Sequence, residues 1–339
     1  MNSGNDGFKG IILVAQSIHQ IQMFDSSRQG ADDLETLLRK TADGRELCVT
    51  EDKREVEKIL DRIEIAFGDI PFELIPKMPN LKWLQLWSAG ADLLRTYPEF
   101  KALPFKMTTT SGIHLQQIAE HVFALILTWN RKMWKAFAAQ QERRWARPSM
   151  HEMEVLSGKT MLILGYGAIG EKIAAVAQCF GMQAIGVRRS VSTVSVDAKG
   201  VTVVPAARLL EYLPQADYIV NILPYTPDTC HFFGGRELAA LKSGAVYVNV
   251  GRGGTTDEAA LAEALRDKRL AAALLDVTET EPLSEDSPLW DFDNLLLTPH
   301  YAGFHPEYNR LAMEIAIENL GHYVRGEPLR NLVDKDAGY

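Results

Sequence analysis

Three side chains late in the sequence combine a reactive type with a telling setting. Arg252 stands between glycines in AVYVNVGRGG, Glu281 directly precedes Pro282 in ALLDVTETEPL, and His300 follows Thr298–Pro299 in NLLLTPH. A histidine exchanges protons near neutrality, and a carboxylate beside it favours the protonated ring. Such a pair keeps an acid available at neutral pH. A rigidly held guanidinium can grip a carboxylate and stabilise charge developing on oxygen. Each residue alone has an ordinary explanation: a turn arginine, a loop glutamate, a structural histidine. Together they follow three consecutive apolar segments, and Asp276 ends one of these as well. Strand ends are where open α/β sheets bind their ligands.

The elements that must position these residues are alternating strands and helices. Residues 159–164, 182–187, 218–223, 245–250, 271–276 and 295–298 read as strands, with a helix over 168–180 and others between them. Upstream, 9–15, 62–68 and 81–87 read as strands and 31–40 as a helix. Such alternation predicts parallel sheets covered on both faces. A long helix is expected over about 115–139, apolar at Ile118, Val122, Leu125, Trp129 and Met133 and widened by Phe123, Ile126 and Leu127. A helix apolar on two sides packs inside a core or across an interface between domains or subunits. The polar stretch 142–158 reads as a linker, and a last helix over about 307–324 should run back across the first domain. The expected fold class is α/β, with two doubly wound parallel-sheet domains.

A cofactor site is written ahead of the three residues. GYGAIG (Gly165 to Gly170) follows the strand TMLIL and opens the helix AIGEKIAAVAQCF, the context that gives a G-x-G-x-x-G its meaning. Gly165 permits the tight turn, Gly167 lets the backbone approach a pyrophosphate, and Gly170 allows helix to pack closely on strand. The helix N-terminus offers free N–H groups to phosphates. About 20 residues on, an acid normally reads the adenosine ribose. Here that spot holds Arg188, Arg189 and Ser190. An arginine fork and a hydroxyl suit a 2′-phosphate, so NADPH is expected in preference to NADH. The alternative is a pair of solvated surface arginines in a domain that uses NAD.

Composition narrows the classes further. The 339 residues are 46% apolar and 24% charged, globular values for a chain long enough to hold two domains. A net charge of −8 favours neither nucleic acid nor anionic membranes. No apolar run reaches the ~18 residues that span a bilayer. MNSGNDGFKG lacks the apolar core of a signal peptide. Cys48, Cys179 and Cys230 lie far apart without metal-ligand spacing, which suits a reducing compartment, and Cys179 falls in an apolar helical pattern that reads as core. A cytoplasmic protein without a metal is the expectation.

Between about Pro76 and Val333 a set of segments carries a specific likeness: LQLWSAGAD, SGIHLQQIAEHVFALIL, LSGKTMLILGYGAIG, NILPYTPDT, VYVNVGRGGTTDEAALAEAL, LDVTETEPL and TPHYAG. In these the chain resembles the D-isomer-specific 2-hydroxyacid dehydrogenases, on the NADP-preferring, glyoxylate/hydroxypyruvate reductase-like branch. The resemblance implies hydride transfer between NADP(H) and a small 2-oxo acid or D-2-hydroxy acid. It implies that Arg252 binds substrate, that His300 is the general acid/base and that Glu281 is its partner. Backbone N–H groups of Ser88, Ala89, Gly90 and Ala91 would meet the substrate carboxylate. Cofactor contacts would come from Gly165, Tyr166, Gly167, Ala168, Ile169, Gly170, Arg188, Arg189, Ser190, Leu223, Pro224, Thr229, Val250, Gly251, Asp276 and Gly303, with Asp276 beside the nicotinamide. The resemblance also implies a Rossmann cofactor domain, 111–303, inserted into a flavodoxin-like substrate domain made of 1–110 and 304–339. A hinge would close the two over substrate, and a homodimer is expected.

Departures from the family pattern sharpen the expectation. Arg188 replaces the ribose-reading acid, and GGTTDE follows Arg252 where an apolar-Val-Asp stretch is usual. Trp87 and Tyr301 either shape the substrate pocket or belong to the core. Glu281 stands where formate dehydrogenases carry Gln, which argues against formate. A phosphoglycerate dehydrogenase-like enzyme would want more basic residues near its cleft and often carries a C-terminal regulatory domain. An NAD(P)-sensing corepressor-like binding protein is the reading from another functional class; the arginine pair does not suit its NAD habit. Which 2-oxo acid is used is not written in the motifs.

Overall fold

The computed structural model describes residues 9–15 and 34–339. Two compact units result, Met1–Ile113 with His305–Tyr339, and His114–Phe304. In the first unit, β1 (Ile11–Val14), β2 (Leu47–Val49), β3 (Ile63–Phe67), β4 (Trp83–Gln85) and β5 (Lys106–Thr108) form one parallel sheet in the order β2–β1–β3–β4–β5. This is the flavodoxin-like order. β1 and β3 are buried along their length, as parallel strands covered on both faces must be. Ile12, Val14, Ile65, Phe67 and Trp83 face Leu38 of α1 (Leu34–Thr41) and Ala312, Met313, Ala316 and Leu320 of the C-terminal helix Tyr308–Arg325. The last helix thus returns to the first sheet. β2 and β5 are too short for a periodic signal and went unforeseen; the expected helix positions 31–33 lie outside the described residues.

The second unit holds β6 (Thr160–Leu164), β7 (Gln183–Arg188), β8 (Ser195–Val196), β9 (Thr202–Pro205), β10 (Tyr218–Asn221), β11 (Ala245–Asn249), β12 (Leu270–Leu275) and β13 (Leu295–Leu297). Their order is β13–β12–β11–β10–β6–β7–β9–β8, parallel except where β8 meets β9. Chain order runs outward in both directions from β6 and β10. That reversal opens the crevice where doubly wound sheets bind ligands, at the carboxyl ends of the strands.

Two expectations about this unit need correction, the helix span and Cys179, and the apolar stripe takes the core alternative. The helix expected over 115–139 is two helices, α2 (Leu115–Asn130) and α3 (Met133–Gln141). Lys132 breaks it with φ +54°, and its ammonium lies 4.2 Å over the Trp129 ring, a contact that offsets the backbone strain. The wide apolar stripe of α2 is used within the unit. Phe123, Leu125 and Ile126 are buried in one core with Ile163, Val220 and Val248 of the sheet and Ile173 of α4 (Ala168–Cys179). Cys179 is exposed, because the buried face of α4 runs through Gly170, Ile173, Ala174 and Ala177 and passes it by.

Candidate active site

The glycine loop after β6 has the shape a dinucleotide needs. Gly165 sits at φ +95°, a left-handed value that glycine adopts without strain. A Cβ on Gly167 would meet nothing within 4 Å, so the loop keeps an open face, whereas one on Gly170 would lie 3.0 Å from the Gly165 carbonyl oxygen. α4 begins at Ala168, and the N–H groups of its first turn, at Ala168, Ile169 and Gly170, have no intrahelical acceptor. An open loop face, a free helix end and a close helix–strand contact fit a pyrophosphate. Tyr166 turns inward: its ring is buried and its hydroxyl donates to Asp197 Oδ2 at 2.7 Å, so only its backbone faces the loop. Burial, then the Asp197 carboxylate, push its phenol far above the ordinary value.

Arg188 is tied to the glycine loop itself. Its Nε donates to the Tyr166 carbonyl oxygen at 2.8 Å, its guanidinium lies 5.7 Å over the Tyr166 ring, and one end reaches within 3.7 Å of Glu171. It is thereby held at the rim of the glycine loop. Arg189 is exposed, with Asp228 at 3.4 Å, and Ser190 is exposed beside it.

Asparagines that the sequence reading missed shape the next two strand ends. Asn221 closes β10: its Oδ1 accepts from Leu223 N at 3.0 Å, and its Nδ2 donates to Tyr247 Oη at 2.8 Å and Thr255 Oγ1 at 2.9 Å. Asn249 closes β11: its Oδ1 accepts from Gly251 N at 3.0 Å, and its Nδ2 donates to the Arg252 carbonyl at 3.2 Å and Thr256 Oγ1 at 3.1 Å. The departure GGTTDE now has a physical reason. Thr255 and Thr256 are buried, and their hydroxyls complete this network as apolar residues could not. Asp257 caps α5 (Glu258–Arg266), accepting from Ala260 N at 3.0 Å. A Cβ on Gly253 would come within 1.9 Å of the Thr278 backbone, so glycine after Arg252 lets two loops touch. Leu223 and Pro224 follow β10, where Thr229 Oγ1 donates to the Pro224 carbonyl at 2.6 Å, and Val250 is buried after β11.

Arg252 is half-buried, with Nη1 donating to the Gly251 carbonyl at 2.8 Å. Burial and the Arg252 charge push His114 down to about 4, so this histidine is neutral at physiological pH. His114 lies against Gly303, whose added Cβ would be 3.0 Å from the ring. After β13, His300 adopts φ +52° and places Nδ1 2.6 Å from Glu281 Oε2. Thr278 N donates to the other Glu281 oxygen at 3.1 Å and fixes that carboxylate. With Nδ1–H donated to Glu281, Nε2 is the atom left to face a ligand. Both side chains stay partly open to solvent. A cavity of about 600 Å³ adjoins the pair, walled by Thr278, Pro282, Leu283, Trp290 and Leu297.

The residues foreseen as a substrate loop belong to the first unit. Ser88 to Ala91 follow β4; Thr110 N donates to the Ser88 carbonyl at 3.0 Å and Ser88 Oγ to the Gly90 carbonyl at 2.7 Å. Trp87 is core, buried with Phe67 and Trp83. Tyr301 is exposed and meets the His121 ring edge-on.

Two parallel sheets, a dinucleotide-type loop and a histidine–glutamate pair at a strand end define an α/β oxidoreductase of the dehydrogenase type. Residues 123–302 match the model of the D-isomer specific 2-hydroxyacid dehydrogenase, NAD binding domain. The chain is 35% identical over 276 residues to a glyoxylate reductase of Aeropyrum pernix, across 79% of this chain and 81% of that one. It is 31% identical to a D-3-phosphoglycerate dehydrogenase of Methanocaldococcus jannaschii, across 84% of this chain but 57% of that longer protein. The crystal structure of an NADPH-dependent glyoxylate/hydroxypyruvate reductase from Sinorhizobium meliloti, in complex with NADP and sulfate, aligns at TM-score 0.80 and 27% identity over 98% of this chain and 100% of that one. The chain belongs to the D-isomer specific 2-hydroxyacid dehydrogenase family. Among the described residues no helix is long and apolar enough to cross a membrane.

Proposed function

We propose that the protein is an NADP-dependent reductase of small 2-oxo acids, acting in reverse on D-2-hydroxy acids. The observation that carries the reading is the 2.6 Å contact between His300 Nδ1 and Glu281 Oε2, in a unit whose glycine loop fits a dinucleotide. Bound NADPH supplies the hydride. His300 holds a proton on Nε2 and delivers it to the substrate oxygen as charge develops there. Glu281 accepts from Nδ1–H and keeps the ring oriented. Arg252 grips the carboxylate and carbonyl, and the Ser88–Ala91 loop adds backbone N–H groups. Arg188, with Arg189 and Ser190, holds the 2′-phosphate. Leu223, Pro224, Thr229, Val250, Gly251, Asp276 and Gly303 border the rest of the cofactor. On this reading His114–Phe304 is the cofactor domain and the other unit the substrate domain.

The names of the Aeropyrum and Sinorhizobium proteins support glyoxylate and hydroxypyruvate as first substrates to try. Exposed apolar side chains on and after α3, Phe137, Trp145 and Met150, favour a homodimer through that surface, with Trp145 92% exposed. The test is a panel of glyoxylate, hydroxypyruvate, larger 2-oxo acids and one phosphorylated 2-oxo acid, each with NADPH. Turnover of a small unphosphorylated member is expected. Tight NADPH binding without turnover of any member would favour a nucleotide-sensing binding protein instead. Sedimentation as a monomer at micromolar concentration would remove the dimer.

A further inference from the structure

Next to His300 lies a second histidine–carboxylate unit. Asp276, following β12, is 2% exposed. Its Oδ1 accepts from Thr298 Oγ1 at 2.6 Å and from Tyr301 N at 3.2 Å, and its Oδ2 accepts from Ala302 N at 2.9 Å. Its backbone carbonyl accepts from His300 N at 2.8 Å. All four donors belong to the 298–302 loop, so one residue ties down the whole turn that carries His300. Next to Thr298 stands His121 of α2. Its Nε2 is 2.9 Å from Thr298 Oγ1 and 3.3 Å from Asp276 Oδ1, and its ring meets Tyr301 edge-on at 5.1 Å. The Thr298 hydroxyl gives its proton to Asp276, so its oxygen accepts from His121 Nε2–H.

The carboxylate is suited to this anchoring. Burial opposes its charge, but hydrogen bonds from His121, Thr298 and Ala302 hold its carboxyl below the usual range. It is therefore ionised, and a full acceptor, at neutral pH. The loop needs such a hold: His300 is in the left-handed region, which a side chain disfavours and which persists only where the surroundings enforce it.

We infer that His121 and Asp276 are positioning residues: they clamp the 298–302 loop so that the His300 ring stays on Glu281 with Nε2 aimed at the reacting oxygen. The inference rests on His300 being the general acid. An anchor of this kind acts on proton delivery. A group that only touched the nicotinamide would act on cofactor affinity.

His121→Phe keeps the edge contact with Tyr301 and deletes the donor, whereas His121→Gln keeps an N–H within reach. His121→Phe should lower kcat about tenfold, since misplacement of about 1 Å can cost up to ~100-fold. The KM of the 2-oxo acid and the Kd of NADPH should stay within about twofold. His121→Gln should recover most of the loss. Amide exchange at Tyr301 and Ala302 should speed up in His121→Phe, and that reading needs no turnover. Wild-type protein that turns over no 2-oxo acid would sink the functional reading, and amide exchange would still test the clamp. Wild-type kcat and exchange in His121→Phe would overturn the positioning role, and so would a loss confined to NADPH affinity. If the Phe variant does not fold, Thr298→Val removes the linking hydroxyl and carries the same expectations.

Discussion

The ring of Tyr166 lies so close to Gly186 that a Cβ on residue 186 would be 2.2 Å from Tyr166 Cγ. Gly186 sits in β7 between the buried Ile185 and Val187, where a β-branched residue would be usual. Its missing side chain makes room for the ring and so ties the glycine loop to the neighbouring strand. Gly186→Ala must push the ring, and the loop with it. It should destabilise the protein by about 1–3 kcal/mol, the usual cost of overpacking, and weaken NADPH binding. Thermal unfolding and a fluorescence titration with NADPH test this. A variant unchanged in both would show that the loop relaxes without cost.

Glu64 gives the first unit an acid-sensitive joint. Its buried carboxylate receives Arg45 Nε and Nη2 at 3.1 Å each, Gly10 N at 2.8 Å and Tyr323 Oη at 2.9 Å. Burial opposes the charge, but Arg45, Gly10 and Tyr323 outweigh it and hold the carboxyl below its usual range. A carboxyl depressed on folding contributes stability above its unfolded pKa, about 4.3, and loses it as pH falls through the folded value. Glu64→Gln should cost about 1–3 kcal/mol at pH 7, because a nearly buried Arg45 then keeps only the partly exposed Asp43 carboxylate, at 3.7 Å, as its anionic partner. The gap from wild type should narrow as pH is taken below about 4. Melting curves at neutral and acid pH decide it, and an unchanged Tm at pH 7 would contradict the assignment.

The positions of Arg252, Glu281 and His300 near strand ends were legible because each lies three to six residues past an apolar strand, and strand ends are where such sheets expose side chains. Glycine spacing and the Arg188 position were legible for the same reason: they lie at fixed offsets along one strand–helix–strand stretch. What was not legible depended on the order of strands in space. Thr255 and Thr256 looked anomalous until β10 and β11 proved adjacent, bringing Asn221 and Asn249 to them. His121 carries no motif of its own in the sequence, and only the fold places it against Thr298. The break at Lys132 is marked by no glycine or proline, and its left-handed backbone and the ammonium over the Trp129 ring are seen only in the fold. Cys179 sits two positions past Ala177, off the buried face, a distinction finer than a periodicity count resolves.

The His300–Glu281 pair makes its own demand. His300→Ala should lower kcat for reduction by about 10²–10⁴-fold, the range for losing a general acid. Glu281→Gln should fold normally and lower kcat for reduction, since the amide no longer presents an anionic acceptor to His300 Nδ1. Steady-state rates at neutral pH test both variants. Turnover of His300→Ala at the wild-type rate would remove the proton-donor role.

The central claim, an NADP-dependent reductase with its phosphate clamp at Arg188, is tested most directly by kcat/KM for NADPH and for NADH on one 2-oxo acid, in wild type and Arg188→Asp. A charge-assisted hydrogen bond contributes about 1.5–3 kcal/mol, and each ~1.4 kcal/mol is tenfold. Wild type should therefore favour NADPH by about 10- to 1,000-fold. The preference should shrink as salt is raised, because Arg188 is partly exposed and screened. In Arg188→Asp the ratio should collapse or invert, as an acceptor for the ribose hydroxyls replaces the phosphate partner. Equal efficiency with NADPH and NADH in wild type would contradict the claim, leaving Arg188 and Arg189 as surface charges.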